Sequence, residues 1–485
     1  MGKADADLIV IGSGFGGSVC AMRAAEANLR VIVLERGGHQ SAERFEAMAE
    51  GRAPLLLRSG PAGLIDAPSI DGLFVISGSA VGGGSHVYTA VTTPAPEEVF
   101  ADRWPAGITA GGMTEYYRRV RDVIAPSPSP RELPRTGWLE RVGHRMGVAA
   151  TRLPLAIDWP ADPLAMTAPP DRQPPRREFV SWLRGGRATK KRTLDRTYLA
   201  RAIEAGAKVL ALHEATAIAP HAGGYAVSVR RHEEGRSFDA SLTAPRVVLA
   251  AGTVNTVRLL LQYRATGSLP NLSAALGARF FTNGDFGALL LIPADTVAPD
   301  CGPPVTGWLD CWAADRLYLM EAGMVPGLSR TALRLLARLA GGRRGFRPLG
   351  WAWCFGVMGF DDVPGSLSMD SRGRMVFRNA SSSSSVFHQR TMRRLRQLAE
   401  AAGATLVAPP DWLARRRPLT VHPLGGAAMA DDPKRGVTDS FGEVFGYPGL
   451  FVADGSLLPV PTGCAPSMTI AALAERVAER IVSAP

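Results

Sequence analysis

The residue types able to do chemistry gather in three places. Near the N-terminus, Gly12, Gly14 and Gly17 stand in the spacing G-x-G-x-x-G. The first permits a tight turn, the second lets backbone approach a pyrophosphate, and the third lets helix and strand pack closely. Gly82, Gly83 and Gly84 form a second glycine run, followed by Ser85. Three missing side chains suit the approach of a flat ring or a phosphate to backbone amides, and the Ser85 hydroxyl is able to donate to such a ring. Far along the chain, His422 opens the run His-Pro-Leu-Gly-Gly, where Pro423 and Gly425 predict a sharply held loop. An imidazole titrating near neutrality suits the acceptance of a hydroxyl proton. A lone histidine is more often structural or exposed, so His422 needs support from its surroundings.

The elements around these residues agree with that chemistry. Residues 6–11 are an apolar run of strand length that leads directly into Gly12, and residues 18–27 read as a helix whose N-terminus faces phosphate charge. A second strand over residues 30–34 ends on Glu35, about 20 residues beyond the glycines, where an acid binds ribose hydroxyls. The bland alternative is a tight turn with a solvated acid at a strand end. Strand, turn, helix, strand and acid in register speak against it. This fingerprint alone does not separate FAD from NAD. From Ser467 onward, Met468, Ile470, Ala471, Leu473, Val477 and Ile481 recur at helical spacing and predict a closing helix.

Composition sets the frame. The chain has 485 residues, more than one core accommodates, so two domains are expected. Its hydrophobic fraction of 46% and charged fraction of 20% are those of a packed globular protein. The net charge of +11 favours acidic partners, but no basic run is interleaved with stacking aromatics, so no nucleic-acid partner is expected. Five cysteines, at 20, 301, 311, 354 and 464, show no C-x-x-C spacing, which predicts neither a disulfide framework nor a metal site. A polar start, odd cysteine count and absence of a long apolar run predict a cytoplasmic protein. Residues 330–347 carry Arg330, Arg334 and Arg338 at i+4 spacing, which fits either a peripheral contact with anionic lipid or a solvated helix face.

Four separated stretches resemble the glucose-methanol-choline oxidoreductases, and within them the bacterial cholesterol oxidase branch. These are GSAVGGGSHVYT from Gly78, VVLAAGTVNTVRLL from Val247, HPLGG from His422, and GEVFGYPGLFVADGSLLP from Gly442 with PSMTI from Pro466. NGD at residues 283–285 is similar to a further family segment. The resemblance implies an α/β, Rossmann-type FAD-binding domain assembled from residues 1–115, 185–290 and 415–485. Residues 116–184 and 291–414 would form a discontinuous α+β substrate domain. It further implies that FAD is the cofactor, held by the glycines and Glu35 and by Gly82 to Ser85. Asp454 and Gly455 would hold the ribityl or phosphate region, and Pro466, Ser467 and Met468 would form a helix start facing the ring. His422 becomes the base or hydrogen-bond partner of an alcohol, and Glu321 a carboxylate over the flavin.

The expected reaction is oxidation of a lipophilic or natural-product alcohol to a carbonyl by hydride transfer to flavin N5, with O2 or another electron acceptor. Tyr88 stands where the family often has Asn, but the departure that matters most is at residue 465. Ala465 stands where Asn or His is usual, and a methyl group offers no hydrogen bond. That departure keeps two alternatives open: a related flavoenzyme performing decarboxylation, reduction or isomerisation, and a lapsed flavin- or lipid-binding protein.

Overall fold

The structure, a computed structural model, describes residues 4–57, 63–162, 175–184, 190–233, 236–293, 302–324, 349–361, 363–379, 384–409 and 418–483. The basic stretch 330–347 lies outside the described residues.

Leu8–Ile11 is a strand because four consecutive apolar residues can be buried on both faces at once, as a parallel sheet with covered faces demands. It sits at the centre of a five-stranded parallel sheet, flanked by Val31–Glu35 and then Lys208–Ala211 on one side. Arg246–Leu249 and then Leu450–Val452 lie on the other side. Strands from three distant stretches of chain therefore share one sheet. Helix Phe15–Glu26 follows the first strand, and the closing helix Ser467–Ser483 packs against it. Glu475 fastens the two: it is buried, accepts from Arg23 Nε at 2.7 Å and Nη2 at 3.0 Å, and takes the Tyr198 hydroxyl at 3.0 Å.

The second body is a six-stranded antiparallel sheet in the order Thr405–Val407, Phe286–Pro293, Leu349–Gly359, Leu317–Met324, Gly307–Cys311, Ala149–Arg152. The expected domain boundary at 290 falls inside the strand Phe286–Pro293. Alternation along Leu317–Met324 decides what faces what. Leu317 and Leu319 join Trp138 of helix Pro134–Met146 and Leu395 and Leu398 of helix Ser384–Ala402 in one apolar cluster. Tyr318 and Met320 turn the other way and join the core of the nucleotide-binding body. Among the described residues, no helix is long and apolar enough to cross a membrane.

Candidate active site

Ligands of open parallel sheets bind beyond the carboxyl ends of the strands, and the glycine runs lie there. Gly12 has φ +98°, and a Cβ on it would overlap the Ala250 carbonyl. Gly14 differs in kind: its backbone is extended and a Cβ would meet nothing within 4 Å. Helix Phe15–Glu26 starts there with no side-chain cap and no acid in its first turn, so its free amides and positive end face open space. Gly16 and Gly17 are close-packing positions, where a Cβ would run into the carbonyls of Ala453 and Gly12. The second glycine run is laid against the first, because a Cβ on Gly83 would come within 2.7 Å of the Gly14 Cα. Gly84, like Gly14, faces open space.

Glu35 is buried at the end of its strand. Its carboxylate accepts from Ser13 N at 3.1 Å, Ser13 Oγ at 2.7 Å and Gly37 N at 2.7 Å. Burial, partly offset by these donors, raises its pKa above the usual carboxylate range. The uncapped helix start, the open direction at Gly14 and the acid one strand away fit the phosphates and ribose of a dinucleotide.

Ser85 is placed otherwise than as a donor to a ring. Its hydroxyl donates to Gly82 O at 2.7 Å and accepts from Leu194 N at 3.0 Å, so it holds the glycine turn closed. Asp454 is also a positioning residue. One oxygen takes Gly252 N at 2.9 Å and Thr256 Oγ1 at 2.5 Å, and the other takes Ser456 N at 2.9 Å and Ser456 Oγ at 2.6 Å. With four protein donors the carboxylate has no lone pair left for a ribityl or phosphate group. Gly455 follows it, where a Cβ would approach Thr253 Oγ1 to 2.5 Å. The closing helix begins at Ser467, directly after Pro466, with Ser467 and Met468 buried and the Ser467 hydroxyl donating to Val91 O at 3.2 Å.

The imidazole of His422 has a partner that its own loop does not supply. His422 Nδ1 lies 2.8 Å from Asp285 Oδ1. The other oxygen, Oδ2, accepts from Thr420 Oγ1 at 2.9 Å, Val421 N at 2.8 Å and His422 N at 2.9 Å. The carboxylate thus fixes both the loop and the ring. It selects the tautomer with the proton on Nδ1, leaving Nε2 as an acceptor, and the side chain keeps 21% of its surface exposed.

Asn283, two residues before Asp285, does the same for the neighbouring loop. Fully buried at φ +56°, it donates to Cys464 O at 2.8 Å and accepts from Gly463 N at 2.9 Å. One turn therefore holds the imidazole and the stretch leading into Ala465. Ala465 is itself buried and presents only its methyl. The NGD run carries this role, and its signal in the sequence is an amide and an acid flanking a glycine just before an apolar strand.

Glu321 does not join this cluster. Strand alternation sends it to the helix-covered side of the antiparallel sheet, with Leu317 and Leu319, where it is 1% exposed and pairs with Arg135 of helix Pro134–Met146 at 3.3 Å. The opposite side of that sheet supplies aromatic surface instead. Tyr318 stacks between Trp308, at 4.0 Å, and Trp312, at 5.5 Å, and Gly463 is pressed against the Trp312 ring.

Two family models described as GMC oxidoreductase match the chain, one over residues 6–280 and one over residues 382–474. A cholesterol oxidase of Mycobacterium tuberculosis is 29% identical, covering 98% of this chain and 91% of that protein. A long-chain-alcohol oxidase of Arabidopsis thaliana is 24% identical, covering 98% and 67%. Among solved structures, pyridoxine 4-oxidase from Mesorbium loti superposes with a TM-score of 0.67 at 13% identity, covering 98% of this chain and 99% of that one. A fungal aryl-alcohol oxidase superposes with a TM-score of 0.64 at 15% identity, covering 99% of each. With both family models matched in order along the fold described above, the chain belongs to the GMC oxidoreductases, FAD-binding oxidoreductases that act on CH–OH groups.

Proposed function

We propose that this enzyme oxidises the hydroxyl of a lipophilic alcohol to a carbonyl, with His422 accepting the hydroxyl proton at Nε2. The single observation that carries the reading is the Asp285–His422 pair, in which the carboxylate holds Nδ1 and leaves Nε2 as the ring nitrogen for substrate. FAD, when bound, supplies the acceptor for the hydride that leaves the carbinol carbon. The backbone amides of residues 15–17 would hold its phosphates, Glu35 its ribose, and the helix start at Ser467 its ring. With FAD as hydride acceptor, removal of the hydroxyl proton by His422 would leave a C=O bond. Asp285 stabilises the imidazolium that forms. Dioxygen as the final acceptor is supported by the oxidase names of the relatives.

A lipophilic substrate is supported by the stacked Trp308, Tyr318 and Trp312 on the sheet face turned toward the nucleotide-binding body. A second reading rests on Ala465: without a second polar group beside the ring, the same fold would run a reduction, isomerisation or decarboxylation. Anaerobic mixing of the FAD-loaded enzyme with a panel of lipophilic alcohols, followed by flavin absorbance, tests the choice. Bleaching by an alcohol supports oxidation. If no alcohol bleaches the flavin while a carbonyl or acid substrate is converted, the second reading stands and the first is lost.

A further inference from the structure

A cleft of about 680 Å³ is lined by residues that the reaction above does not use. Its lining includes Phe100, Arg103, Trp104, Arg279, Asp431 and Arg435. Three guanidinium groups thus share one concavity. Arg435 is neutralised by Asp431 at 3.3 Å and Asp432 at 2.9 Å, and Arg103 has Asp102 at 3.6 Å. Arg279 has no ion pair and no hydrogen-bond acceptor among the described residues, and its Nη2 is enclosed without a partner. Burial, and next the like charges of Arg103 and Arg435, press its pKa below the ordinary guanidinium range.

An unpaired, half-buried guanidinium is costly to keep, since its enclosed Nη2 has given up water without gaining an acceptor. The backbone nevertheless pins it in place. Arg279 sits at φ +51°, its carbonyl accepts from Gly426 N at 3.2 Å, and a Cβ on Gly425 would overlap that carbonyl. The side chain therefore cannot relax outward through a backbone shift. Beside it Phe100 and Trp104 stack at 5.0 Å between centroids. The guanidinium nitrogens that are not enclosed, with a second arginine lining the same cleft, suit an oxyanion, which accepts charge-assisted hydrogen bonds.

We propose that this cleft binds an oxyanion, a phosphate or carboxylate group of a small molecule, on Arg279 and Arg103, with Phe100 and Trp104 supporting an attached flat or apolar group. None of the lining residues is assigned a role in the alcohol oxidation, and the proposal does not depend on the reaction assigned there.

The test uses the FAD-loaded enzyme at low ionic strength, titrated with inorganic phosphate and, separately, with citrate, by calorimetry and by thermal unfolding. The native protein is expected to bind at least one of the two saturably and to unfold at higher temperature in its presence. Arg279→Gln should weaken that binding at least about tenfold and abolish the thermal gain, while unfolding at an unchanged or higher temperature without anion, because it removes an unpaired buried charge. Arg103→Gln, a second variant on the other side of the cleft, should weaken binding as well. Absence of saturable binding to the native protein, or binding that survives in both variants, overturns the proposal. Preference for phosphate over citrate identifies a phosphate ester as the source, and the reverse preference a carboxylate.

Discussion

Asp285 Oδ1 and His422 Nδ1 lie 2.8 Å apart, although 136 residues of chain stand between them. The pair acts as one unit, because the carboxylate sets the ring's orientation and also accepts from the His422 amide. His422→Asn should slow flavin reduction by roughly 10² to 10⁴, the usual worth of a positioned base, with FAD content unchanged. Asp285→Asn should slow it by a smaller factor, and the double variant should be no slower than His422→Asn alone. Stopped-flow reduction of the three variants reads this; losses that multiply would show two independent contributions.

Glu321 provides the opposite case. It is buried on the helix-covered side of its sheet with Arg135, so Glu321→Gln breaks a buried ion pair and should cost about 3 kcal/mol of stability. Flavin reduction should keep its native rate. A large fall in that rate with unaltered stability would return this carboxylate to the chemistry.

The two kinds of glycine in the fingerprint should separate under substitution. Gly14→Val places its side chain in open space at an extended backbone, so the protein should fold but fail to retain FAD. Gly16→Ala drives a methyl into the Ala453 carbonyl and should impair folding itself. Circular dichroism with flavin absorbance distinguishes them, and a Gly14→Val protein with normal flavin content would contradict the placement of the pyrophosphate.

Ala465 lies just beyond the loop that Asn283 fixes, so its side chain can be exchanged without moving the backbone that carries it. Ala465→Asn should speed flavin reduction by simple alcohols by about tenfold, the value of one hydrogen bond of ~1.4 kcal/mol. Slower reduction by every alcohol tried would show that the methyl is required by the native substrate.

Lys191 is buried, donates to the carbonyls of His86 at 3.2 Å and of Tyr88, and has its pKa pulled down to about 7 by burial. Its ordinary value is 10.5, so between about pH 7 and 10.5 the unfolded chain binds the extra proton. Stability therefore rises with pH across that window, and the cost of burying this amine is fully present below it. Lys191→Met removes the titration, so its unfolding temperature relative to the native protein should be more favourable at pH 6 than at pH 9. A difference between the two proteins that is the same at both pH values would mean that the amine stays charged in the fold.

The nucleotide-binding half is legible in the chain's local order, because its working parts are neighbours in sequence. An apolar run, Gly12, Gly14, Gly17, a helix and Glu35 fall within 30 residues, and each acts through backbone geometry that its residue type dictates. His422 is legible as a candidate but not as a site. Its partner Asp285 arrives on a separate turn, and the antiparallel pairing of Phe280–Phe281 with Leu424–Gly425 brings the two together. Side-chain direction is likewise a tertiary property. One residue of register along Leu317–Met324 separates Met320, which joins the nucleotide-binding core, from Glu321, which is buried with Arg135 on the opposite face. Hydrogen-bond saturation is invisible locally for the same reason: Asp454 and Ser85 carry the right groups, but donors from residues 252, 256 and 194 complete them before any ligand does. Local chemistry names the groups, and packing of distant segments fixes which of them are left with free valence.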